Sequence, residues 1–278
     1  MKGPAGVGPV EDHRGREKGA LVYPVFSRRS RGLSLGVNLF PDQKSCSFDC
    51  PYCEVFPFET GLRFDTALME EALIETIGRA MHTPIRDICF SGNGEPTGSP
   101  LLFEALPATA RIRERYAPGA ALVLISNATG LLNDKTFEFL RGLAAGPEGL
   151  VIWLKLDAAT PRWYAAINRS AVPHERLLSR IGEFAALAPV TIQTMLCTVG
   201  GMAPPAEESA AWERFVTGLA GTGGAGLRAV QLYGKARPAP EDPLAARLPD
   251  AYLEDRAASL RRRLVLAGRG SVPVEVYP

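Results

Sequence analysis

The chain has 278 residues, 46% of them hydrophobic and 22% charged, which provides for a sizeable core and excludes wholesale disorder. Thirty-one basic residues stand against 30 acidic ones for a net charge of +1, so the broad basic excess of a non-specific nucleic-acid binder is absent. No run reaches the roughly 18 apolar residues of a membrane span, and the opening MKGPAGVGPVEDHRGREKG lacks an apolar secretory stretch, so a cytoplasmic protein without membrane partners is expected.

Residues 1–19, rich in Gly, Pro and charge, read as a flexible tail, leaving 20–278 as a single domain. Ser34–Leu39 is the first strand-like run. A helix follows over Asp65–Met81, with Leu68, Ala72, Leu73, Ile77 and Met81 on its apolar side. Strand Ile85–Phe90, helix Leu101–Tyr116, strand Ala121–Ile125 and helix Asp134–Ala144 come next. Strands Val151–Asp157, Val190–Leu196 and Arg228–Tyr233 are separated by helices near His174–Ala188 and Glu207–Leu219. A last helix, Asp250–Ala267, leads to a strand near Val272–Tyr277. Such alternation predicts an α/β fold, a parallel sheet with helical crossovers closed into a barrel or wound on both faces.

Five cysteines are present, and three of them, Cys46, Cys50 and Cys53, lie within eight residues just after the first strand. In a reducing compartment that crowding reads as metal binding and not as a disulfide scaffold. A structural zinc site closes with four protein ligands, as does a fully ligated iron–sulfur cubane. Three thiols without a matching fourth ligand leave one iron open to a small molecule; a zinc knob short of one ligand is the plain alternative.

The stretch Cys46-Ser-Phe-Asp-Cys50-Pro-Tyr52-Cys53 resembles the C-x3-C-x2-C pattern of the radical S-adenosylmethionine (SAM) superfamily. With Ser27-Arg-Arg-Ser30 and Gly32-Leu-Ser-Leu-Gly-Val-Asn-Leu-Phe-Pro41, it is similar to the iron–sulfur oxidoreductases related to the tRNA wyosine-base synthases. The resemblance implies a partial (β/α)6 radical SAM (TIM-like) barrel, with a [4Fe–4S] cluster on the three cysteines and SAM on the open iron. It further implies an enzyme that reductively cleaves SAM to a 5′-deoxyadenosyl radical, which abstracts hydrogen from a substrate. An external donor of flavodoxin or ferredoxin type would supply the electron, and Tyr52 would pack on the SAM adenine.

Ser91-Gly92-Asn93-Gly94-Glu95-Pro-Thr97 resembles the superfamily's glycine–glutamate motif, whose backbone and Glu contact the SAM methionine. By itself it is an ordinary βα turn. Ser126-Asn127 ends the next strand, and Asn127 is a candidate SAM ligand; in isolation such a pair is a turn signal. Trp153, Lys155 and Asp157 share one strand face, where charge is costly unless paired or functional, and a Lys155–Asp157 pair could simply satisfy itself. The resemblance continues through Lys155-Leu-Asp157-Ala and Ile167-Asn-Arg169, so Lys155 and Asp157 are expected to hold SAM or substrate. Gln193 and Tyr233 are further cofactor-binding candidates, with Gln231 beside them, and Arg237 is a candidate anion ligand. Cys197 is a candidate catalytic thiol, although a lone cysteine is more often a small buried hydrophobe, as Cys89 is expected to be.

The substrate class stays open between RNA and protein. Arg28-Arg-Ser-Arg31 could meet phosphate in a tRNA base-modifying enzyme, or equally be a solvated surface run or cover the bottom of the barrel. A glycyl-radical-type activase would share the cysteine spacing and form a protein complex. A non-catalytic iron–sulfur electron-transfer protein would leave the SAM-like motifs without a purpose.

Overall fold

The structure, a computed structural model, describes residues 19–55, 57–80, 83–221, 226–236, 242 and 244–278. Residues 1–18 of the expected tail, Met81 and Arg237 lie outside the described residues. The chain divides into two compact units, the first comprising Met1–Cys46, Val55–Ser126 and Gly142–Val151, the second Ser47–Glu54, Asn127–Arg141 and Ile152–Pro278.

The first unit holds β1 (Val22–Ser27), β2 (Gly32–Val37), β3 (Ile85–Phe90) and β4 (Ala121–Ser126) in that order. β2, β3 and β4 are parallel, and β1 runs antiparallel to β2. β1 was not anticipated from sequence. Its residues are nearly all half-buried, so the apolar alternation that marks a strand is weak. It carries Pro24, which an edge strand tolerates because no second neighbour needs its missing N–H.

Helices α1 (Thr66–Ala80) and α2 (Leu102–Tyr116) are the crossovers, and α1 packs on α2, β1 and β2. The apolar side of α1 includes Leu73 as expected, but Met69 and not Leu68 completes it. Met69 and Leu73, at i and i+4, are fully buried, whereas Leu68 is 55% exposed. Thr109 of α2 donates to the Met69 sulfur at 3.7 Å, which shows which face α1 turns to its neighbour.

The second unit holds β5 (Val151–Lys155), β6 (Val190–Leu196), β7 (Leu227–Gly234) and β8 (Val274–Tyr277), all parallel, each paired with the next. The crossovers are α4 (Pro161–Ile167) with α5 (His174–Leu187), then α6 (Ala206–Gly221) and α7 (Asp250–Leu266). Ahead of them comes α3 (Asp134–Ala145), whose Phe137 meets Phe184 of α5 edge-on with ring centres 5.0 Å apart. β6 is buried along its whole length, as a strand covered on both faces must be.

The seven-residue α4 was also not anticipated, being too short for periodicity to show. Its start is written in Thr160-Pro161, since the Thr160 side chain caps the Trp163 N–H and Pro161 suits the first helical turn. Glu208 of α6 adds a distant clamp, accepting from the Ala159 and Thr160 N–H groups at 2.6 and 2.8 Å and from the Thr160 hydroxyl. No helix among the described residues is long and apolar enough to cross a membrane.

Candidate functional site

In the first unit the glycine–glutamate loop follows β3. The Asn93 carbonyl accepts from the Ser45 N–H at 3.1 Å, and the Ser45 carbonyl accepts from the Glu95 N–H at 2.8 Å. This ties the loop to the residue preceding Cys46. Two glycines make the approach feasible. Gly92 has φ +123°, a region that L side chains rarely adopt. A Cβ on Gly94 would lie 1.9 Å from the Ser45 carbonyl oxygen, an impossible contact.

Gly94→Ala should therefore cost about 1–3 kcal/mol, the usual range for overpacking. Gly98→Ala, where a Cβ meets nothing within 4 Å, is the control. Equal urea midpoints for the two variants would contradict the close approach.

Glu95 is buried, and its Oε1 accepts from the Ser126 hydroxyl (2.7 Å), the Thr97 hydroxyl (2.6 Å) and the Thr97 N–H (3.1 Å). The carboxylate thus caps the short 3-10 turn after it and joins the ends of β3 and β4. Asn93 is held by Asn38 Oδ1, which accepts its N–H at 3.2 Å, and by donating to the Phe40 carbonyl at 3.1 Å.

In the second unit the segment 47–54 carries Cys50 and Cys53, and bonds and ring contacts fasten it from Ser47 to Cys53. Ser47 Oγ accepts from Asn127 Nδ2 at 3.0 Å, and the Ser47 carbonyl accepts from the Ser170 hydroxyl at 2.8 Å. Asn127 also accepts from the Thr129 N–H and hydroxyl, so it forms a local turn as well as a tether. Phe48 packs edge-on against Tyr164 of α4, and the Asp49 N–H donates to the Asn168 carbonyl at 2.9 Å. The Cys53 N–H donates to the Cys50 carbonyl at 2.9 Å, closing a tight turn between the two thiols.

The buried end of this segment meets the charges at the end of β5. The Tyr52 hydroxyl donates to Asp157 Oδ2, and Asp157 Oδ1 accepts from the Met195 N–H at 2.8 Å. Asn168 Nδ2 reaches both Asp157 Oδ2 (3.4 Å) and Cys50 Sγ (3.6 Å). Lys155 Nζ donates to the Tyr233 hydroxyl at 2.8 Å, lies 3.8 Å from Asp157 Oδ2 and sits 4.6 Å over the Tyr52 ring. Burial pushes the Lys155 ammonium down, but Asp157, with Tyr233 and Cys50, outweighs it and holds the lysine above its ordinary value. Lys155 is therefore a fixed cation beside Cys50.

The second unit thus brings Tyr52, Lys155, Asp157 and Tyr233 together. Gln193 lies in register with Lys155 on one side and Gln231 on the other, and Gln231 with Glu275. Gln193 donates to Gln231 at 2.7 Å, and Gln231 to Glu275 at 3.2 Å, so a polar row crosses β5 to β8. Sequence reasoning missed Glu275, Ser170 and the side chain of Asn168. Asn168 stood inside a quoted motif, but its partner lies 118 residues away. Cys197 is fully buried, and burial together with Asp157 pushes its thiol up to about 12.

Cys46 is exposed, Cys53 half-buried and Cys50 buried. Cys46 belongs to the first unit, Cys50 and Cys53 to the second. Among the described residues no three His, Cys, Asp or Glu side chains are gathered as metal ligands. The donor chemistry of the cysteine segment still suits an iron–sulfur group. Burial pushes the Cys50 thiol up to about 12, while Lys155 lowers it, and a bound metal deprotonates a thiol outright.

No known family's sequence profile matches the chain. It is 29% identical over 172 residues to a UPF0026 protein of Helicobacter pylori, an alignment covering 60% of this chain and 51% of that protein. It is 29% identical over 183 residues to a UPF0026 protein of Synechocystis, covering 64% of each. The chain thus spans about half the length of the first of these relatives.

Among solved structures, a radical SAM methyltransferase from Sphaerobacter thermophilus superposes with a TM-score of 0.62 at 17% identity, covering 91% of this chain and 67% of that one. The enzyme anSMEcpe with bound AdoMet gives 0.57 at 12% identity, covering 87% and 63%. TYW1 with a lysine-pyruvate adduct gives 0.50 at 14%, covering 83% and 72%. At such identities the likeness speaks for the fold: the chain is an α/β protein with the parallel-sheet partial barrel of radical SAM enzymes.

Proposed function

We propose that this chain is a radical SAM enzyme in which Cys46, Cys50 and Cys53 hold a [4Fe–4S] cluster and SAM takes the open iron. One observation carries the reading: a C-x3-C-x2-C segment directly follows the first parallel strand, β2, in a fold shared with a radical SAM methyltransferase. The AdoMet bound to anSMEcpe, a neighbour of the same fold, supports SAM as the co-substrate. The chemistry supplied by the bound cluster is one-electron cleavage of SAM to methionine and a 5′-deoxyadenosyl radical, which takes a hydrogen atom from the substrate.

The protein's own residues have separable tasks. The loop backbone at Gly92 and Gly94 meets the SAM methionine, with Asn93, its N–H and carbonyl both engaged, and the capped Glu95 holding the loop in place. Asn127 fastens the cysteine segment through Ser47. Lys155 compensates the negative charge of the thiolates, and Asp157 holds Lys155 and Tyr52 in place. Gln193 and Tyr233 present polar groups beside them for SAM or substrate. The outside electron comes from a flavodoxin- or ferredoxin-type donor; the substrate is unidentified, with RNA and protein both open.

Anaerobic reconstitution with iron and sulfide, then dithionite and SAM, should yield 5′-deoxyadenosine. A four-iron cluster that forms but neither binds nor cleaves SAM would transfer the assignment to an electron-transfer protein.

A further inference from the structure

Asn168 ends α4 and is 2% exposed. Its backbone is fixed twice: the N–H donates to the Tyr164 carbonyl at 2.9 Å, and the carbonyl accepts from the Asp49 N–H at 2.9 Å. These bonds already anchor the cysteine segment to α4. The side chain does something further. Its amide nitrogen has two N–H bonds, and the two acceptors in reach are Cys50 Sγ at 3.6 Å and Asp157 Oδ2 at 3.4 Å.

The amide orientation follows from these neighbours. Turned over, it would aim its carbonyl oxygen at the Asp157 carboxylate, acceptor against acceptor, so the nitrogen belongs on this side. The carboxylate itself is anchored from elsewhere by Tyr52 and the Met195 N–H, so the amide cannot drift with it. A donor held this way is worth little against a neutral thiol and much more against a thiolate, where the hydrogen bond becomes charge-assisted. Asn168 is thus aimed at the sulfur in its ligand form.

We propose that Asn168 is a positioning residue that raises the reduction potential of the cluster by donating an N–H to the Cys50 thiolate. This rests on the radical SAM reading above. One electron enters from the donor and no covalent bond changes. The added charge spreads partly onto the ligand sulfurs, so an N–H dipole pointed at one of them stabilises the reduced state more than the oxidised one. Asp157 acts with the opposite sign.

The test is an EPR-monitored redox titration of reconstituted wild type, Asn168→Leu and Asn168→Ala, with iron and sulfide measured in each. Leucine keeps the volume and removes the donor; alanine removes both. The expected result is a full cluster with a midpoint shifted to more negative potential in the variants, and a slower onset of 5′-deoxyadenosine formation when reductant is limiting. A cluster-loaded variant whose midpoint equals that of wild type overturns the assignment. So does loss of the cluster from both variants while wild type stays loaded, since that marks a structural clamp. A wild type that takes up no cluster would instead bring down the radical SAM reading itself.

Discussion

Cys50→Ala is expected to abolish both cluster uptake and 5′-deoxyadenosine formation. With three thiols available to four irons, removing one leaves two ligands, and no other cysteine lies within the segment to replace it. The fold should survive, because the exchange deletes a single buried sulfur, at a cost of about 1 kcal/mol. Cys50 is the most informative of the three, being the buried one and the one that receives the Asn168 amide. Cys89→Ala is the matched control, a buried thiol on β3 outside the segment, and should keep the cluster. Four-iron absorbance retained by Cys50→Ala would show that the ligand set is wrong. Loss in both variants would point to a general defect in folding.

The largest effect on stability is expected from Asp157→Asn. The Asp157 side chain is fully buried and takes the Met195 N–H, the Tyr52 hydroxyl, an Asn168 N–H and the nearby Lys155 ammonium. Asparagine keeps one acceptor oxygen and turns an amide N–H2 towards one or other set of donors. It also leaves Lys155 as an uncompensated cation. Breaking a buried pair by removing one partner costs about 3–5 kcal/mol. Lys155 is 21% exposed and retains its bond to Tyr233, which points to the lower end of that range. Equilibrium denaturation gives the number directly. The double variant Lys155→Met/Asp157→Asn should recover part of the loss, because it removes the orphaned charge as well. A single-variant loss below about 1 kcal/mol would remove Asp157 from the centre of this network.

These two residues sit at opposite ends of what a sequence can disclose. The spacing of Cys46, Cys50 and Cys53 is a local property: three thiols within eight residues can be read without any knowledge of the fold. Asp157 was visible as a costly charge at the end of an apolar strand, with Lys155 as a possible partner, but Tyr52 and Met195 were not. Tyr52 lies 105 residues away, and Met195 38 residues away.

The same division runs through the elements. The βα alternation was legible because long helices and buried parallel strands impose periods of 3.6 and continuous apolar runs on the chain. β1 and α4 escaped because one is a half-exposed edge strand holding a proline and the other is seven residues long. On α1, Leu73 lies on the expected apolar side, but Met69 is buried there in place of Leu68. Both Leu68 and Met69 are apolar, and only packing on α2, where Thr109 meets the Met69 sulfur, decides between them. By itself the sequence determined the α/β class, the cysteine segment and the candidate polar positions, all of which depend on neighbours within a few residues. Only the tertiary structure decided that Asn168 faces Cys50, that Lys155 is fixed by Asp157 and Tyr233, and that Gln193, Gln231 and Glu275 form one row. Strand register and the path of α4 set those pairings, and both are decided by burial summed over residues far apart in the chain.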